Sequence, residues 1–537
     1  MGAKQGRGAK QQSRNAVPAK THQPRQQRPA PSPPVPLQAR SRRWLILVLV
    51  FVCGWLQALA VALGNIDRIV PYSAYYYGDA QVFLDYAEAV AEGNLYDNGI
   101  PFHPPFAAWC LAGMGLGLGQ SLTIVTMKSA LAVLAGVIGA AACALAWMLS
   151  GPASGLAAGL IVSFSFGISV LATVPGTEAL YLALTLPTLI LALKPGARRP
   201  RAAVIAGALT GVACLTRAEH VLLIPLFLLA LLRREQDRRG NWAAGWVSKN
   251  NVLRAALFLA AAAVPLAPWT ARNAALLAQM NRDDAAAAAT SGAAPLEPVP
   301  VAVPVTIYGP LNFALANMPP ATGEFTREAL PLLDGSEHLN LRHPDHRQFV
   351  VHGYRLGWEA LRADPGRAVR LLLTKLNIAW DAFALGFTAA NAPAGLTGFR
   401  RPVDLFTPSS RWFRWVLPPL ALVGWAALWR RNRTAAIVLA TIVVHRLVVT
   451  VAFFGYVRQG MLLFPLAAVL AAFPLVRVQL DHKRIKAALI IAASAALLAT
   501  AYNVWSAREL RRFDIRYATI PGTDVIDHQA RMELTPK

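Results

Sequence analysis

Apolar runs long enough, or nearly long enough, to cross a hydrocarbon core recur from Trp44 to Trp505, separated by short polar stretches. About eleven spans can be drawn, near 44–64, 122–149, 153–173, 178–193, 202–216, 220–232, 255–270, 412–430, 434–455, 461–478 and 485–505. Three further segments are helical in pattern but do not read as spans. From Asp79, the apolar positions Val82, Phe83, Tyr86, Ala87 and Val90 follow helical spacing with Gln81, Asp85, Glu88 and Glu92 opposite, and Gly93 is a stop signal. Pro104–Gly119 is apolar but short and rich in Gly, which predicts a juxtamembrane or re-entrant helix. Ala368–Phe387 is interrupted by Arg370, Lys375 and Asp381 at amphipathic spacing, which predicts a helix along the interface.

Composition agrees with this pattern. Hydrophobic residues make up 55% of the chain and charged residues 15%, and the mean hydropathy is +0.40, values that exclude an ordinary soluble domain and predict an all-α polytopic membrane protein. The net charge of +24 would suggest nucleic acid in a soluble protein. Here the cations fall in a tail and in short loops: Arg42–Arg43, Lys194 with Arg198, Arg199 and Arg201, Arg233 to Arg239, Arg430 to Arg433, and Lys483 to Lys486. That is the positive-inside pattern, so membrane lipids are the expected surroundings and nucleic acid is not an expected partner.

Placing every cluster in the cytoplasm sets the topology, provided that Pro104–Gly119 does not cross. Residues 1–43, with ten Lys or Arg and no acid, then form a disordered cytoplasmic tail, read either as a topology anchor or as an arm for anionic lipid. The membrane domain is 44–505, with a first outer loop over 65–121 and a long outer segment over 271–411. A short polar appendage, 506–537, lies outside. Within the long segment, the Ala, Pro and Val-rich stretch 285–304 reads as mobile, either a lid or a linker. Cys53, Cys110, Cys143 and Cys214 lie in apolar segments without metal-ligand spacing and read as small core residues.

Several ionisable residues fall on the outer side of this topology. Asp79 stands at the N-terminus of the first-loop helix, where it serves as a cap or as a catalytic acid or base. His103 precedes Pro104–Pro105, a rigid step into the next helix, and reads as a structural histidine or a ligand for phosphate. Thr177–Glu178, Thr216–Arg217 with Glu219 and His220, Arg272 and Arg458 lie at the outer ends of different spans. Ionisable groups near membrane depth tend to pair or to line a polar cavity, and so many at one level predict a shared one.

In order and position these motifs resemble the lipid-linked-sugar glycosyltransferases of the C-type (GT-C) superfamily, especially the protein O-mannosyltransferase and aminoarabinose transferase branch. Asp79 looks like the first-loop acid, and Phe102-His103-Pro104-Pro105 like the His-Pro-Pro step. Thr177-Glu178 resembles the second-loop acid, Leu215-Thr216-Arg217 the Leu-x-Arg before a short return helix, and Pro268-Trp269-Thr270-Ala271-Arg272-Asn273 the Pro-Trp-x-x-Arg-Asn that ends a span. Ala321-Thr322-Gly323 and Arg458 also fit, although Arg458 is followed by Gln459-Gly460 where the family has a basic or aromatic continuation.

The resemblance implies a bundle of about eleven transmembrane helices in the cell's inner membrane, with the N-terminus cytoplasmic and the active site outside. It implies transfer of a sugar from a polyprenyl-phosphate donor to a hydroxyl of a glycan, lipid or protein acceptor, with inversion. Asp79 is then the general base, since an acceptor hydroxyl is a poor nucleophile until it loses its proton. Glu178 orients the acceptor or His103. Arg217, Arg272, Lys375 and Arg458, with Glu219 beside them, form the binding set for the departing phosphate. No metal or other cofactor is expected. A lipid-linked glycan transporter or flippase, and an oligosaccharide polymerase or ligase, are the competing classes. Internal repeats expected of a carrier are not seen.

Overall fold

The computed structural model describes residues 37–64, 78–94, 99–118, 124–194, 200–232, 249–331, 339–380, 382–385, 413–477, 513–516 and 533–536. The chain divides into Met1–Arg42 and a larger unit, Arg43–Lys537. Most of the basic tail, the cation clusters of 195–199, 233–239 and 483–486, and the expected last span over 485–505 lie outside the described residues.

In chain order the helices are α1 (Leu37–Gly64), α2 (Gly78–Ala91), α3 (Phe106–Leu118), α4 (Ile124–Leu131), α5 (Val133–Ser150), α6 (Pro152–Ser163), α7 (Phe166–Thr173), α8 (Glu178–Leu193), α9 (Pro200–Thr216) and, after a 3-10 turn over Ala218–Leu223, α10 (Ile224–Leu232). They continue with α11 (Lys249–Ser291), α12 (Tyr308–Asn317), α13 (Pro344–Ala363), α14 (Pro365–Trp380), α15 (Ala382–Leu385), α16 (Phe413–Arg431), α17 (Arg433–Ala452), α18 (Val457–Met461) and α19 (Phe464–Arg477). The all-α expectation needs one amendment. In the C-terminal appendage β1 (Phe513–Arg516) pairs antiparallel with β2 (Glu533–Pro536), and both read with the alternating apolar and polar positions of a strand.

Every expected span among the described residues coincides with a helix or helix pair. By length and composition, however, only Thr126–Ser150, Asn250–Ser291 and Arg433–Ala452 among the described helices are long and apolar enough to cross, and the bent pair α6–α7 makes a fourth. The expected number of about eleven is thus larger than this test supports. Lipid is nonetheless the surrounding that the surface demands. Leu45, Val48 and Leu49 on α1, Val252, Leu259 and Val264 on α11, and Val444 and Val448 on α17 all stand exposed. The 13 residues of α3 reach about 20 Å, short of a hydrocarbon core about 30 Å thick.

Small residues set the helix spacing that positions the site. A Cβ at Gly207 would collide with the Phe258 carbonyl, and one at Gly211 with that of Ala262, so these glycines let α9 lie directly on α11. Gly207→Val or Gly211→Val is therefore expected to force the helices apart at a cost of about 1–3 kcal/mol. Thermal unfolding of the purified protein reads this as a lower midpoint, and an unchanged midpoint would show that the helices do not touch there.

The 43 residues of α11 reach about 65 Å, twice the thickness of a hydrocarbon core. Its second half extends past the Pro-Trp-x-x-Arg-Asn motif and overturns the expectation of a mobile stretch over 285–304. Residues 285–291 are its last turns, and the chain then runs back as a strap held against the helix. The Trp269 indole donates to the Val305 carbonyl (2.9 Å) and the Thr270 hydroxyl to that of Pro304 (2.8 Å). The Asn273 amide donates to Val303 (3.2 Å) and Val305 (3.0 Å), and Asn281 exchanges hydrogen bonds with both backbone groups of Val299 (2.9 Å each). Arg347 on α13 closes the far end, donating to Asp284, Asn281 and the Glu297 carbonyl. The strap is ordered because its carbonyls meet fixed side-chain donors, a pairing that residue composition does not reveal.

Candidate active site

The start of α8, the end of α9, the 3-10 turn, the last turns of α17 and the short α18 meet in one buried polar cluster. Glu178, the first residue of α8, is buried; its Oε1 accepts from Arg217 Nη1 at 3.0 Å and lies 3.7 Å from Arg458 Nε. Arg217 follows the last turn of α9 in an extended conformation. It donates to Thr177 Oγ1 (3.1 Å) and, through Nε, to Glu219 Oε1 (2.6 Å). The same Glu219 oxygen accepts from Arg446 Nη1 at 2.8 Å. Arg446 is fully buried and also donates to Gln459, while the neighbouring His445 ring meets the Glu219 carbonyl at 3.1 Å. Near the two guanidinium groups lies the Tyr181 ring, 6.0 Å from Arg217 and 5.8 Å from Arg446.

Among the described residues three guanidinium groups face two carboxylates here, so the cluster carries one excess positive charge. Burial by itself pushes the Arg217 pKa down, but Glu219 and Glu178 more than reverse this and hold it above the ordinary value. The ion pairs therefore persist across the physiological range.

Sequence reasoning misses Arg446, His445, Gln459 and Tyr181. A signal exists for the first two, since His445–Arg446 interrupts an apolar run in which any ionisable group is costly. The Gln459-Gly460 continuation after Arg458 also acquires a reason. Gln459 holds Arg446, and a Cβ at position 460 would collide with the Ala379 carbonyl of α14.

The other expected site residues are placed differently. Asp79 lies in the first turn of α2, which begins at Gly78, so the helix starts two residues earlier than an N-cap at Asp79 requires; its side chain is outside those described. His103 stands among aromatic rings, with centroids 4.7 Å from Phe102, 5.6 Å from Phe83 and 6.3 Å from Tyr308. Tyr308 packs beside the His-Pro-Pro step and has an electrostatic interaction with Arg217. Arg272 is on an exposed face of α11, whereas the ion pairs of Glu178 and Glu219 are made by Arg217, Arg446 and Arg458.

Lys375 is buried in a second polar group, donating to Asn317 Oδ1 (2.8 Å) and the Val451 carbonyl (3.0 Å). Burial, with a smaller contribution from Arg367, pushes its pKa down to about 7. The unfolded chain holds this proton to about pH 10, so folding releases it between pH 7 and 10, and its contribution makes stability rise with pH there. Lys375→Met is expected to flatten that rise, by at most about 1.4 kcal/mol per pH unit. Chemical unfolding at pH 7, 8 and 9 checks this, and equal slopes in both proteins would refute it.

Among the described residues no three His, Cys, Asp or Glu side chains gather in a way that could hold a metal ion.

A helical membrane body with a guanidinium–carboxylate cluster at the ends of its helices is the architecture that the GT-C resemblance implies. Residues 102–269 match the family model described as dolichyl-phosphate-mannose-protein mannosyltransferase, which bears that resemblance out. The matched segment runs from Phe102 to Trp269 and so contains His103, Glu178, Arg217 and Glu219. No curated protein matches the chain. Solved structures that it resembles include the oligosaccharyltransferase of Archaeoglobus fulgidus in the apo form, at 13% identity over 85% of this chain and 56% of that one, with a TM-score of 0.44. Another is the archaeal oligosaccharyltransferase AglB from the same organism, in complex with an inhibitory peptide and a dolichol-phosphate, at 15% identity over 86% of this chain and 56% of that one, with a TM-score of 0.42. The chain thus spans little more than half the length of those it is compared with.

Proposed function

We propose that this protein transfers a sugar from a polyprenyl-phosphate donor to an acceptor hydroxyl on the outer side of the inner membrane, with inversion at the anomeric carbon. The observation that carries the reading is the buried cluster of Arg217, Arg446 and Arg458 around Glu178 and Glu219, with its excess positive charge. A leaving polyprenyl phosphate needs cations rather than a general acid, and fixed guanidinium groups in a poorly solvated site stabilise it without reorganising. The family description, a mannosyltransferase using dolichyl phosphate mannose, supports the same donor class.

The cluster also narrows the choice of base. Burial alone would raise the pKa of Glu219, but donation from Arg217 and Arg446 outweighs it, holds the carboxyl below the ordinary range and makes it a poor proton acceptor. Glu178 is engaged by Arg217. Asp79, which the resemblance makes the first-loop acid, takes the acceptor's proton as the hydroxyl attacks. Glu178 then acts by orienting Arg217 and Arg458. The test is reconstitution in liposomes with a polyprenyl-phosphate-linked radioactive sugar and a panel of envelope glycans, lipids and peptides. A covalent product with release of polyprenyl phosphate is expected. Movement of the lipid across the bilayer without any product would overturn the reading in favour of a flippase.

A further inference from the structure

The Pro-Trp-x-x-Arg-Asn motif at the end of a span draws attention to its arginine, yet the structure puts its indole and amide to use. Trp269 and Asn273, one turn apart on α11, are both buried, and together they donate three hydrogen bonds to the carbonyls of Val303 and Val305. Two residues later the Ile307 N–H donates to the Pro101 carbonyl at 3.0 Å, tying the strap to the chain just before His103. The next residue is Tyr308, whose ring centroid is 5.9 Å from that of Phe102 and 6.3 Å from that of His103, within electrostatic reach of Arg217.

We propose that Trp269 and Asn273 are positioning residues which, through the strap from Val303 to Ile307, hold Tyr308 beside the His-Pro-Pro step, where it joins the guanidinium cluster in forming the binding site for the donor's sugar phosphate. The inference rests on the donor-binding reading of that cluster. A strap without regular secondary structure has no rigidity of its own, so the registry of Tyr308 depends on the donors that grip its carbonyls. The grip is on carbonyls, and the Val305 side chain is buried in the same apolar cluster as Trp269. The clamp residues themselves make no contact with substrate.

The experiment uses the full chain in detergent or nanodiscs, with radiolabelled farnesyl phosphate as probe, and compares wild type, Asn273→Leu, Tyr308→Phe and the double variant. Asn273→Leu conserves volume and removes the donors. It is expected to weaken farnesyl phosphate binding about tenfold, the equivalent of one hydrogen bond at the site, and to accelerate amide hydrogen exchange in peptides covering 299–308. Tyr308→Phe should weaken binding to a similar degree without changing that exchange. The double variant should be no worse than the weaker single one, because both act through the same group.

Losses that multiply in the double variant, or faster exchange with binding unchanged, overturn the inference while leaving the donor reading intact. Should Asn273→Leu fail to fold, Trp269→Phe, which deletes the indole donor to Val305, takes its place with the same expectations. Absence of farnesyl phosphate binding and of sugar transfer in the wild type would instead overturn the donor reading itself.

Discussion

Arg217→Lys is expected to lower sugar transfer by at least about a hundredfold, comparable to removal of a fixed donor from a developing anion. The charge is kept, so simple electrostatic attraction predicts a mild effect. The geometry predicts a severe one. Arg217 reaches Glu219 through Nε and both Glu178 and Thr177 through Nη1, three acceptors fixed in directions that one ammonium on a flexible stem does not reproduce. Arg217→Met should do more, since it leaves Glu178 and Glu219 buried with fewer partners, at a cost of about 3–5 kcal/mol. Transfer assays and thermal unfolding on the same preparations separate the two effects. Near-normal transfer by a well-folded Arg217→Lys would show that the fork geometry is not used.

Asp79→Asn is the second large expectation, a loss of about a hundredfold or more in the rate of transfer, as for removal of a general base. Asparagine satisfies a helix N-terminus almost as well as aspartate does, so the folded state of α2 should be preserved. Asp79→Ser, another good N-terminal residue that cannot take the proton at neutral pH, should be equally impaired. Binding of the donor should change little in either variant, which distinguishes a base from a phosphate ligand. Transfer by Asp79→Asn close to that of the wild type would make the residue a helix-end feature and leave the reaction without its base.

The membrane helices are legible in the sequence because the lipid core imposes one requirement on every residue facing it, and apolar runs report that requirement directly. For the same reason Glu178, Arg217 and Arg458 stand out as costly groups at one level of the membrane. Arg446, fully buried and completing the pairing of Glu219, carries the same signal, but it lies inside an apolar run rather than at the end of one, so nothing in the sequence assigns it to the outer level. The stretch over 285–304 misleads because its low complexity describes only its own side chains, whereas its order comes from carbonyls bonded to Trp269, Asn273 and Asn281. Lys375 falls with the phosphate ligands by side of membrane, and its actual partners, Asn317 and the Val451 carbonyl, are remote in sequence.

By itself, the sequence determined that this is a helical membrane protein, and which acids and cations stand at the ends of its spans. Solvation free energy acts residue by residue and leaves a one-dimensional record. Only the tertiary structure decided which of those groups meet. Direction and distance depend on the close approach of α9 to α11 at Gly207 and Gly211, on the departure of the chain from helix at Arg217, and on a strap gripped by its backbone. Pair interactions over a few ångströms are fixed by packing, and neither the kind of residue nor its depth in the membrane specifies them.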